Sequence, residues 1–261
     1  MNLAPVAATP EARVAAFFDL DGTLISFPSL ERRMFRALMY RRAIPARNFV
    51  LWMAEALRLL PRGLVFARLA NKMYLRGISG EAANAAAVQV AGGAHLRFFP
   101  EAVERIAWHV GQGHTIALVS GTLQLLARAA AASLEAELAR RGATTTIVVL
   151  ATRLEEMSGR WTGRVAGESM FGPAKAQAIR ALAVRAGFAL GECYGYGDSV
   201  HDWQMLECVG HAVVVNGSPE LRRIARRENW RAVEWRTTET SAALARQHTV
   251  RLTERKAEIL G

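Results

Sequence analysis

Two aspartates that follow a short apolar run are the residues best placed to do chemistry in this chain of 261 residues. Residues 14–18 are wholly apolar, as in a buried strand, and Asp19 and Asp21 come directly after them. Side chains two positions apart on an extended chain point the same way, so both carboxylates can face one spot. Two like charges so close need a shared proton or a cation, and Mg²⁺ suits carboxylate oxygens. The alternative is an ordinary turn at Asp21-Gly22, without chemistry.

Three later stretches carry polar groups that suit phosphate or metal binding. The Ser120 hydroxyl can donate to a phosphate oxygen, and Gly121 lets a backbone N–H approach the same group. Lys175 stands at the start of a predicted helix, where the helix dipole does not favour a cation, so an anionic ligand would explain it. Asp198 follows a short strand-like run, and Asp202 lies four residues further on. Each also has an ordinary interpretation, as a Ser-Gly turn, a solvated lysine or a polar loop.

The elements that must position these groups are strands that alternate with helices. Strand-like runs occur at residues 14–18, 115–119, 145–150, 193–196, 212–215 and 232–235. This alternation predicts an α/β fold with a doubly wound parallel sheet and right-handed crossovers. Open sheets of this type bind ligands at the carboxyl ends of their strands, and all the candidate groups fall there. The sequence therefore predicts a single site.

The segment between the first two strands differs from the rest, because it shows helical spacing and no strand alternation. Breaks at Pro61 and Gly63 and at Gly92-Gly93 divide it into helices, and Ser79 suits the N-cap of one of them. We therefore expect a core domain formed by residues 1–27 and 98–261, with residues 28–97 as an inserted helical cap.

The run Asp19-Leu20-Asp21-Gly22-Thr23-Leu24 resembles the first motif of the haloacid dehalogenase (HAD) superfamily of phosphotransferases. The spacing of the later stretches resembles that of its phosphoserine-phosphatase-like branch, subfamily IB, over about residues 14–235. The resemblance implies a Rossmann-like core with a helical cap of the C1 type. It also implies a Mg²⁺-dependent phosphatase that hydrolyses phosphate monoesters.

The same resemblance implies a role for each catalytic residue. Asp19 would be the nucleophile and would form an aspartyl-phosphate, which divides one hard step into two. Asp21 would protonate the departing oxygen and then deprotonate the attacking water. Ser120 and Gly121 would bind the phosphoryl group, and the Lys175 ammonium would offset its charge and that of Asp19.

Mg²⁺ is the cofactor that the resemblance implies. Its ligands would be the Asp19 side chain, the Asp21 backbone carbonyl and Asp198. Asp202 would lie just outside this set and orient a metal-bound water or Lys175. His201 is not expected to be a ligand, because a hard metal prefers oxygen.

The cap is expected to select the substrate. Arg68 resembles the arginine with which phosphoserine phosphatases bind the substrate carboxylate, although a surface arginine on an amphipathic helix is an equal alternative. The acidic residue that those enzymes use for the substrate amine should fall near Pro28. Pro28 and Ser29 cannot replace it, and Glu31 is the nearest acid. This departure leaves the identity of the substrate open.

Composition limits the partners and the setting. The net charge of +10 favours anionic partners, although an arginine-rich surface is the simpler explanation. No nucleic-acid-binding signature occurs, so we expect a small phosphorylated substrate and no nucleic acid. The two cysteines, Cys193 and Cys208, are too few for a disulfide scaffold, and residues 1–13 lack a signal pattern, so a cytoplasmic location is expected. The most apolar stretch, residues 49–60, is too short to span a bilayer.

Two functional alternatives remain open. The cap carries apolar and basic residues together, as in segments that lie on membrane surfaces: Leu51, Trp52, Leu57, Leu59, Leu60 and Phe66, with Arg47, Arg58, Arg62 and Arg68. The first alternative is therefore a phosphatase or phosphotransferase that acts on a lipid phosphate at a membrane, with burial inside the cap as the simpler explanation. The second is a non-catalytic module that binds phosphorylated ligands, although no expected catalytic residue is missing. The sequence does not indicate the oligomeric state.

Overall fold

The structure is a computed structural model that describes residues 13–92 and 96–237, without the side chains of Val65, Phe66 and Arg68. Its centre is a six-stranded sheet whose neighbouring strands are all parallel, in the order β3-β2-β1-β6-β7-β8. The strands are β1 (Ala15–Phe18), β2 (Thr115–Leu123), β3 (Val148–Thr152), β6 (Tyr194–Gly197), β7 (His211–Val215) and β8 (Arg231–Val233). The predicted doubly wound α/β fold is confirmed.

The strand β1 lies in the middle of the sheet, and the strand order reverses direction beside it. Phe18 pairs with Leu118 of β2 on one side and with Tyr196 of β6 on the other. The chain runs outward from β1 to β2 and β3, and it returns to β6 before it runs outward again. The carboxyl ends of β1 and β6 therefore border a topological switch point, where sheets of this type bind ligands.

The sheet is buried on both faces, which explains why β1 is wholly apolar rather than alternating. Phe17 points to one face and packs in a cluster with Ile179 and Leu206. Phe18 points to the other face, where its ring stacks on the Tyr196 ring with 4.3 Å between centroids.

Helices connect the strands: α1 (Leu30–Tyr40), α2 (Arg47–Leu59), α3 (Leu64–Ala70), α4 (Gly80–Ala91), α5 (Pro100–Gly111), α6 (Gln124–Arg140), α7 (Pro173–Ala186), α8 (Trp203–Glu207) and α9 (Pro219–Arg227). Several begin at residues whose chemistry favours a helix start. Ser29 and Ser79 accept N–H groups of the first turns of α1 and α4, and proline begins α5, α7 and α9. The first four helices lie between β1 and β2 in the chain, as expected for the cap. The cap boundaries at residues 28 and 97 stay a prediction.

Two elements differ in length from the expectation. The second strand continues past Val119 to Leu123, so Ser120 lies within β2 and does not end it. A register shift between Ser120 and Leu123 interrupts the pairing with β3. The backbone of the residues between them is therefore not held in the regular ladder of hydrogen bonds. The sequence also predicts a small hairpin at residues 158–165. The hairpin begins earlier, because β4 (Leu154–Met157) pairs with β5 (Arg160–Val165) around a turn at residues 158–159.

Among the described residues, no helix combines the length and the apolar character needed to cross a bilayer. The sequence also suggests a loose tail up to about residue 13 and a charged, helical tail after residue 235; both lie almost entirely outside the described residues.

Candidate active site

Asp19 is the first residue after β1, and only 6% of its surface is exposed. Its N–H donates to the Tyr196 carbonyl across 2.9 Å, which holds it against β6. One carboxylate oxygen, Oδ1, accepts a hydrogen bond from Lys175 Nζ at 2.5 Å. The other, Oδ2, accepts no hydrogen bond from the residues that the structure describes. Asp19 therefore presents one fixed and one free oxygen at the switch point of the sheet.

Lys175 is the third residue of α7 and is 3% exposed. Gly172 and Pro173 set the start of this helix, since Gly172 has a φ of +55° and Pro173 occupies the first helical position. Nζ donates at 2.5 Å both to Asp19 Oδ1 and to Asp202 Oδ1. Burial lowers the pKa of Lys175, but the attraction of these two carboxylates outweighs burial and holds the pKa above its ordinary value. The side chain is therefore a charged ammonium.

Both carboxylate oxygens of Asp202 are occupied. Oδ1 accepts from Lys175, while Oδ2 accepts the N–H of Asp198 at 3.2 Å and both the N–H and the hydroxyl of Ser199 at 3.0 Å. A residue engaged in this way fixes the ammonium and the loop of Asp198 together. The sequence predicts this place for Asp202 beside Lys175.

Asp198 follows β6 directly and is 9% exposed. Its Oδ1 accepts a long hydrogen bond from the Thr23 hydroxyl at 3.4 Å. Gly22 packs on the same carboxylate with a φ of +97°, and a Cβ at residue 22 would overlap Asp198 Oδ2. Glycine is therefore required both by the backbone conformation and by the close approach of the two loops.

Asp21 contacts the cap. Its Oδ1 accepts the N–H of Leu30, the first residue of α1, at 2.8 Å, and its Oδ2 accepts no hydrogen bond from the described residues. Burial raises the pKa of Asp21 to about 6, the Leu30 N–H opposes this rise, and the charge of Glu31 adds to it. A carboxyl group with such a pKa can both hold and release a proton near neutral pH.

Ser120 reaches the same edge of the sheet, because Leu118 lies beside Phe18 in the β1–β2 register. Its hydroxyl oxygen accepts the Thr122 N–H at 3.3 Å, while its own proton is donated to no described residue. The carbonyl of Gly121 accepts the Thr152 hydroxyl at 2.7 Å. Ser120 therefore has a free donor in a buried position.

Thr122 is a residue that the sequence analysis missed. Its Oγ1 is buried and has no hydrogen-bond partner among the described residues, which is uncommon for a buried hydroxyl and suits a ligand atom. A second hydroxyl two positions after Ser120 was the signal that could have identified it.

The charges of the site do not balance within the protein. Burial raises the pKa of Asp19 to about 7, against the attraction of Lys175, and raises that of Asp198 to about 8. Repulsion between these two carboxylates and from Asp202 adds to the rise for Asp198. Three carboxylates face one ammonium, an excess of two negative charges when all are ionised.

A divalent cation would compensate this excess. Asp19, Asp198 and Asp202 each offer one oxygen, and the three oxygens lie within 4.8 Å of one another. An all-oxygen, anionic set suits a hard cation such as Mg²⁺. Because the Asp202 oxygens already accept four hydrogen bonds, Asp19 and Asp198 are the side chains better able to hold it.

The structure brings most of the predicted site together. Asp19, Lys175, Asp202 and Asp198 form one connected cluster, and Asp21, Ser120 and Gly121 lie at the same edge of the sheet. His201 is apart from these groups in its contacts, since its ring packs against Phe171. The prediction for Arg68 falls on a side chain outside the described residues.

A cleft of about 750 Å³ lies beside the start of α7. One wall belongs to the cap segment and includes Glu55 and Arg62, and the other is formed by Ser169 and by residues up to Ala174. The lining includes Ala174, which directly precedes Lys175 in the chain, but it includes none of the described side chains of Asp19, Asp21, Lys175 and Asp198.

The fold and the cluster define a class: an α/β enzyme with a buried cluster of three aspartates and a lysine at the carboxyl end of its central strand. The chain belongs to the haloacid dehalogenase-like hydrolase family, whose family model matches residues 16–207.

The chain is similar to curated proteins along most of its length. It is 32% identical over 262 residues to a phosphoserine phosphatase of Mycobacterium tuberculosis, with 92% of this chain and 79% of the relative covered. It is 33% identical over 242 residues to a probable phosphatase of the same organism, with 87% and 77% covered. The assignment to the phosphoserine-phosphatase-like branch and to HAD-type phosphoric monoester hydrolases is thereby confirmed.

Solved structures are similar in fold. A protein of unknown function from Bordetella pertussis has a TM-score of 0.61 and 27% identity, with 85% of this chain and 98% of that chain covered. A probable phosphoserine phosphatase from Vibrio cholerae has a TM-score of 0.56 and 19% identity, with 90% and 67% covered.

Proposed function

We propose that this protein hydrolyses a phosphate monoester through an aspartyl-phosphate formed on Asp19. The observation that carries the proposal is the state of the Asp19 carboxylate. Lys175 holds Oδ1, while Oδ2 is free of hydrogen bonds from the described residues and lies in a buried, polar cluster. A nucleophile fixed by one oxygen and free at the other is oriented for attack without being blocked.

In the first step Asp19 Oδ2 forms a bond to phosphorus, and the bond between phosphorus and the leaving oxygen breaks. The Lys175 ammonium offsets the charge of the carboxylate and of the moving phosphoryl group. The free hydroxyl proton of Ser120 and the backbone N–H of Gly121 bind phosphoryl oxygens. The buried hydroxyl of Thr122, which has no hydrogen-bond partner within residues 13–92 and 96–237, supports the same assignment.

Asp21 manages the proton in both steps. Its carboxyl group gives a proton to the leaving oxygen, and the resulting carboxylate then removes a proton from the water that attacks the aspartyl-phosphate. The hydrogen bond from Leu30 holds Oδ1, which leaves Oδ2 for this exchange. Hydrolysis of the intermediate regenerates Asp19.

Mg²⁺ is the cofactor proposed for this site, held by the Asp19 side chain, Asp198 and the Asp21 backbone carbonyl. It would neutralise the phosphate charge that the ammonium alone cannot balance. The excess of two negative charges among buried groups supports this choice. Asp202 keeps its proposed role of orienting Lys175.

The cap at residues 28–97 is proposed to cover the site and select the substrate, a small phosphorylated molecule, with Arg68 as the candidate for an anionic group of that substrate. The helical character of the segment and the contact of α1 with Asp21 support this part. The cytoplasmic location stays the prediction made from the cysteine content.

The test is phosphate release from p-nitrophenyl phosphate and a panel of metabolite monoesters, with Mg²⁺ and with EDTA. Asp19→Asn is expected to abolish turnover and to retain the fold, since the amide keeps the shape of the side chain. Ser169→Ala, in the wall of the cleft, is the matched control that keeps turnover of the small aryl ester. Activity retained in Asp19→Asn would refute the mechanism, and binding without release would favour the non-catalytic module.

A second candidate function, action on an amphiphilic phosphate at a membrane, is favoured by the outer face of the cap. Val50, Met53 and Leu57 follow one another at helical spacing on α2 and are 71%, 55% and 65% exposed. Leu57 is thus not part of the cap core, in contrast to Leu59, which is 4% exposed. Exposed Arg47 begins the same helix, so the apolar face has a basic neighbour.

Flotation with vesicles of phosphatidylglycerol tests this candidate. The wild-type protein is expected to float, and the triple change of Val50, Met53 and Leu57 to serine is expected to remain at the bottom with its turnover of p-nitrophenyl phosphate intact. Neutral phosphatidylcholine vesicles are the lipid control. Absence of flotation, or flotation equal in both proteins, would exclude the membrane surface for this face.

A further inference from the structure

A buried ion pair in the cap lies beside the proposed acid. Lys72 is 4% exposed and its Nζ donates a hydrogen bond to Glu31 Oε1. The hydroxyl of Tyr74 donates to the same oxygen at 2.8 Å. Glu31 Oε2 accepts no hydrogen bond from the part of the chain that the structure describes, and the Glu31 side chain is 19% exposed. In this cluster of Glu31, Lys72 and Tyr74, the Oε1 oxygen of Glu31 is therefore occupied, while its Oε2 oxygen can still accept a hydrogen bond.

This cluster is connected to the site through the start of α1. Leu30, whose N–H binds Asp21 Oδ1 at 2.8 Å, directly precedes Glu31 in the first turn of that helix. The Glu31 carboxylate is also close enough to Asp21 for its charge to contribute to the raised pKa of that residue. Because Asp21 is proposed to protonate the leaving oxygen, the group attached to that oxygen lies near Glu31.

The charge of the cluster decides what kind of leaving group it tolerates. An unpaired Glu31 carboxylate would attract an ammonium group, but Lys72 already supplies that positive charge from a buried position. A second ammonium would meet a neutral pair and the repulsion of the Lys72 ammonium. The open Oε2 can still accept a hydrogen bond from a neutral donor such as a hydroxyl.

We propose that Lys72, by pairing with Glu31 beside Asp21, makes this enzyme select phosphate monoesters whose leaving group carries a hydroxyl and no ammonium. The inference rests on the proposed function, because it names the substrate class of the same site. It excludes phosphoserine and other amino-alcohol phosphates as preferred substrates. Lys72 is then a specificity residue that acts through the charge of Glu31.

Two esters that differ only in the critical group provide the test. In 2-hydroxyethyl phosphate and 2-aminoethyl phosphate, a hydroxyl in one replaces an ammonium in the other. For the wild-type enzyme, kcat/KM is expected to favour the hydroxyl ester by about tenfold or more, the usual scale for a mismatch of one charged group. Lys72→Met frees the Glu31 carboxylate and is expected to shift the ratio toward the amino ester by about tenfold or more.

Two further variants separate charge from packing. Tyr74→Phe removes a hydrogen bond to Glu31 but no charge, so the ratio is expected to stay on the side of the hydroxyl ester. The double variant Glu31→Gln with Lys72→Met removes both charges and is expected to lose the preference for the amino ester that Lys72→Met alone creates. This variant buries no unpaired charge and lacks the repulsion of the Lys72 ammonium, so its preference for the hydroxyl ester should be weaker than that of the wild type even if Lys72→Met does not fold. A preference as strong as that of the wild type would contradict the role of Lys72.

These experiments distinguish failure of the specificity proposal from failure of the proposed phosphatase function. Absence of hydrolysis of p-nitrophenyl phosphate by the wild-type protein would refute the phosphatase mechanism itself. Hydrolysis of that ester together with a preference for the amino ester, equal rates on the two esters, or no turnover of either would overturn the inference. A ratio unchanged in folded Lys72→Met would overturn it as well.

Discussion

Lys175 and Asp202 illustrate how one buried residue can hold another in a state that it would not adopt alone. Burial alone would lower the pKa of this ammonium, which is only 3% exposed, and so favour loss of its proton. Two carboxylate oxygens at 2.5 Å prevent this, and one of them belongs to Asp202, whose second oxygen binds two backbone N–H groups. The ammonium is therefore fixed in charge and position before any substrate enters.

The first prediction concerns Gly22. Gly22→Ala is expected to lower kcat/KM by about 100-fold or more, because the new Cβ would displace the Asp198 carboxylate. The backbone φ of +97° at this position is also unfavourable for alanine. The Mg²⁺ concentration that gives half-maximal activity should rise at the same time. Both values are measured in a Mg²⁺ titration of p-nitrophenyl phosphate hydrolysis.

Gly187→Ala is the matched control. Gly187 also has a positive φ, +71°, at the end of α7, but apart from its own helix and chain neighbours no atom of the described residues lies within 4 Å of the position that its Cβ would take. This variant should lose about 1 kcal/mol of folding free energy and keep its Mg²⁺ dependence. Equal effects of the two changes would show that backbone strain, and not contact with Asp198, is responsible.

Sequence patterns identified residues whose local context is unusual, and they missed residues whose partners are distant in the chain. Asp19 was evident because a charged residue ends an apolar run. The pairing of Lys72 with Glu31 spans 41 residues and leaves no local signal. Thr122 was missed although it follows Ser120 by two positions, because only the folded chain shows that its hydroxyl has no partner among the described residues.

At the scale of elements, the positions of the six strands along the chain and their parallel arrangement followed from the alternation of apolar runs and helices, while the ends of the strands did not. The strand β2 continues to Leu123 because β3 lies alongside and pairs with it across the register shift after Ser120. Which strands lie side by side, and how far they pair, is seen only in the assembled sheet. The same holds for Leu57, whose apolar side chain suggested burial but faces solvent.

The second prediction concerns the contact between α5 and β6. His109, fully buried on α5, hydrogen-bonds Tyr196 Oη at 2.9 Å and His114 Nδ1 at 2.8 Å. Burial, followed by the charges of His114 and Arg105, lowers the pKa of His109 to about 3. Below pH 6.5 the unfolded chain binds a proton that the folded chain does not, so the free energy of unfolding should fall as the pH decreases from 6.5 toward 3.

The loss due to His109 is about 2 kcal/mol at pH 5. Urea unfolding at several pH values measures it. His109→Gln, which cannot titrate, is expected to flatten the slope between pH 6.5 and 5. His211→Gln removes an exposed histidine and should keep the wild-type slope. A slope that is unchanged in His109→Gln would assign the pH dependence to other groups.

At the scale of the whole molecule, the third prediction concerns stability and Mg²⁺. The buried carboxylates repel one another without a cation, so Mg²⁺ should stabilise the folded chain by about 2.7 kcal/mol at a concentration 100 times its Kd. Thermal unfolding with Mg²⁺ and with EDTA measures the shift. Ca²⁺, which takes more ligands at longer distances, serves as the comparison ion.

The variant Asp198→Asn separates the stabilisation due to Mg²⁺ binding at this site from general effects of ionic strength on stability. Without metal this variant should be more stable than the wild type, because it removes the carboxyl group whose pKa burial and two neighbouring charges raise. It should also lose most of the stabilisation by Mg²⁺. A variant that is less stable than the wild type in EDTA would contradict the charge imbalance described for the site.

The central position of β1 also determines when the site can assemble during synthesis of the chain. Phe18 pairs with Leu118 and Tyr196, which follow it by 100 and 178 residues. A ribosome adds roughly 5 to 20 residues per second, so the nascent chain carries Asp19 for roughly 10 to 40 seconds before Asp198 is even synthesised. The helices between β1 and β2, which rest on local contacts, can form during this interval, whereas the loop of Asp19 must wait for its second neighbouring strand. The cluster of Asp19, Lys175, Asp198 and Asp202 can therefore assemble only late in the synthesis of this chain.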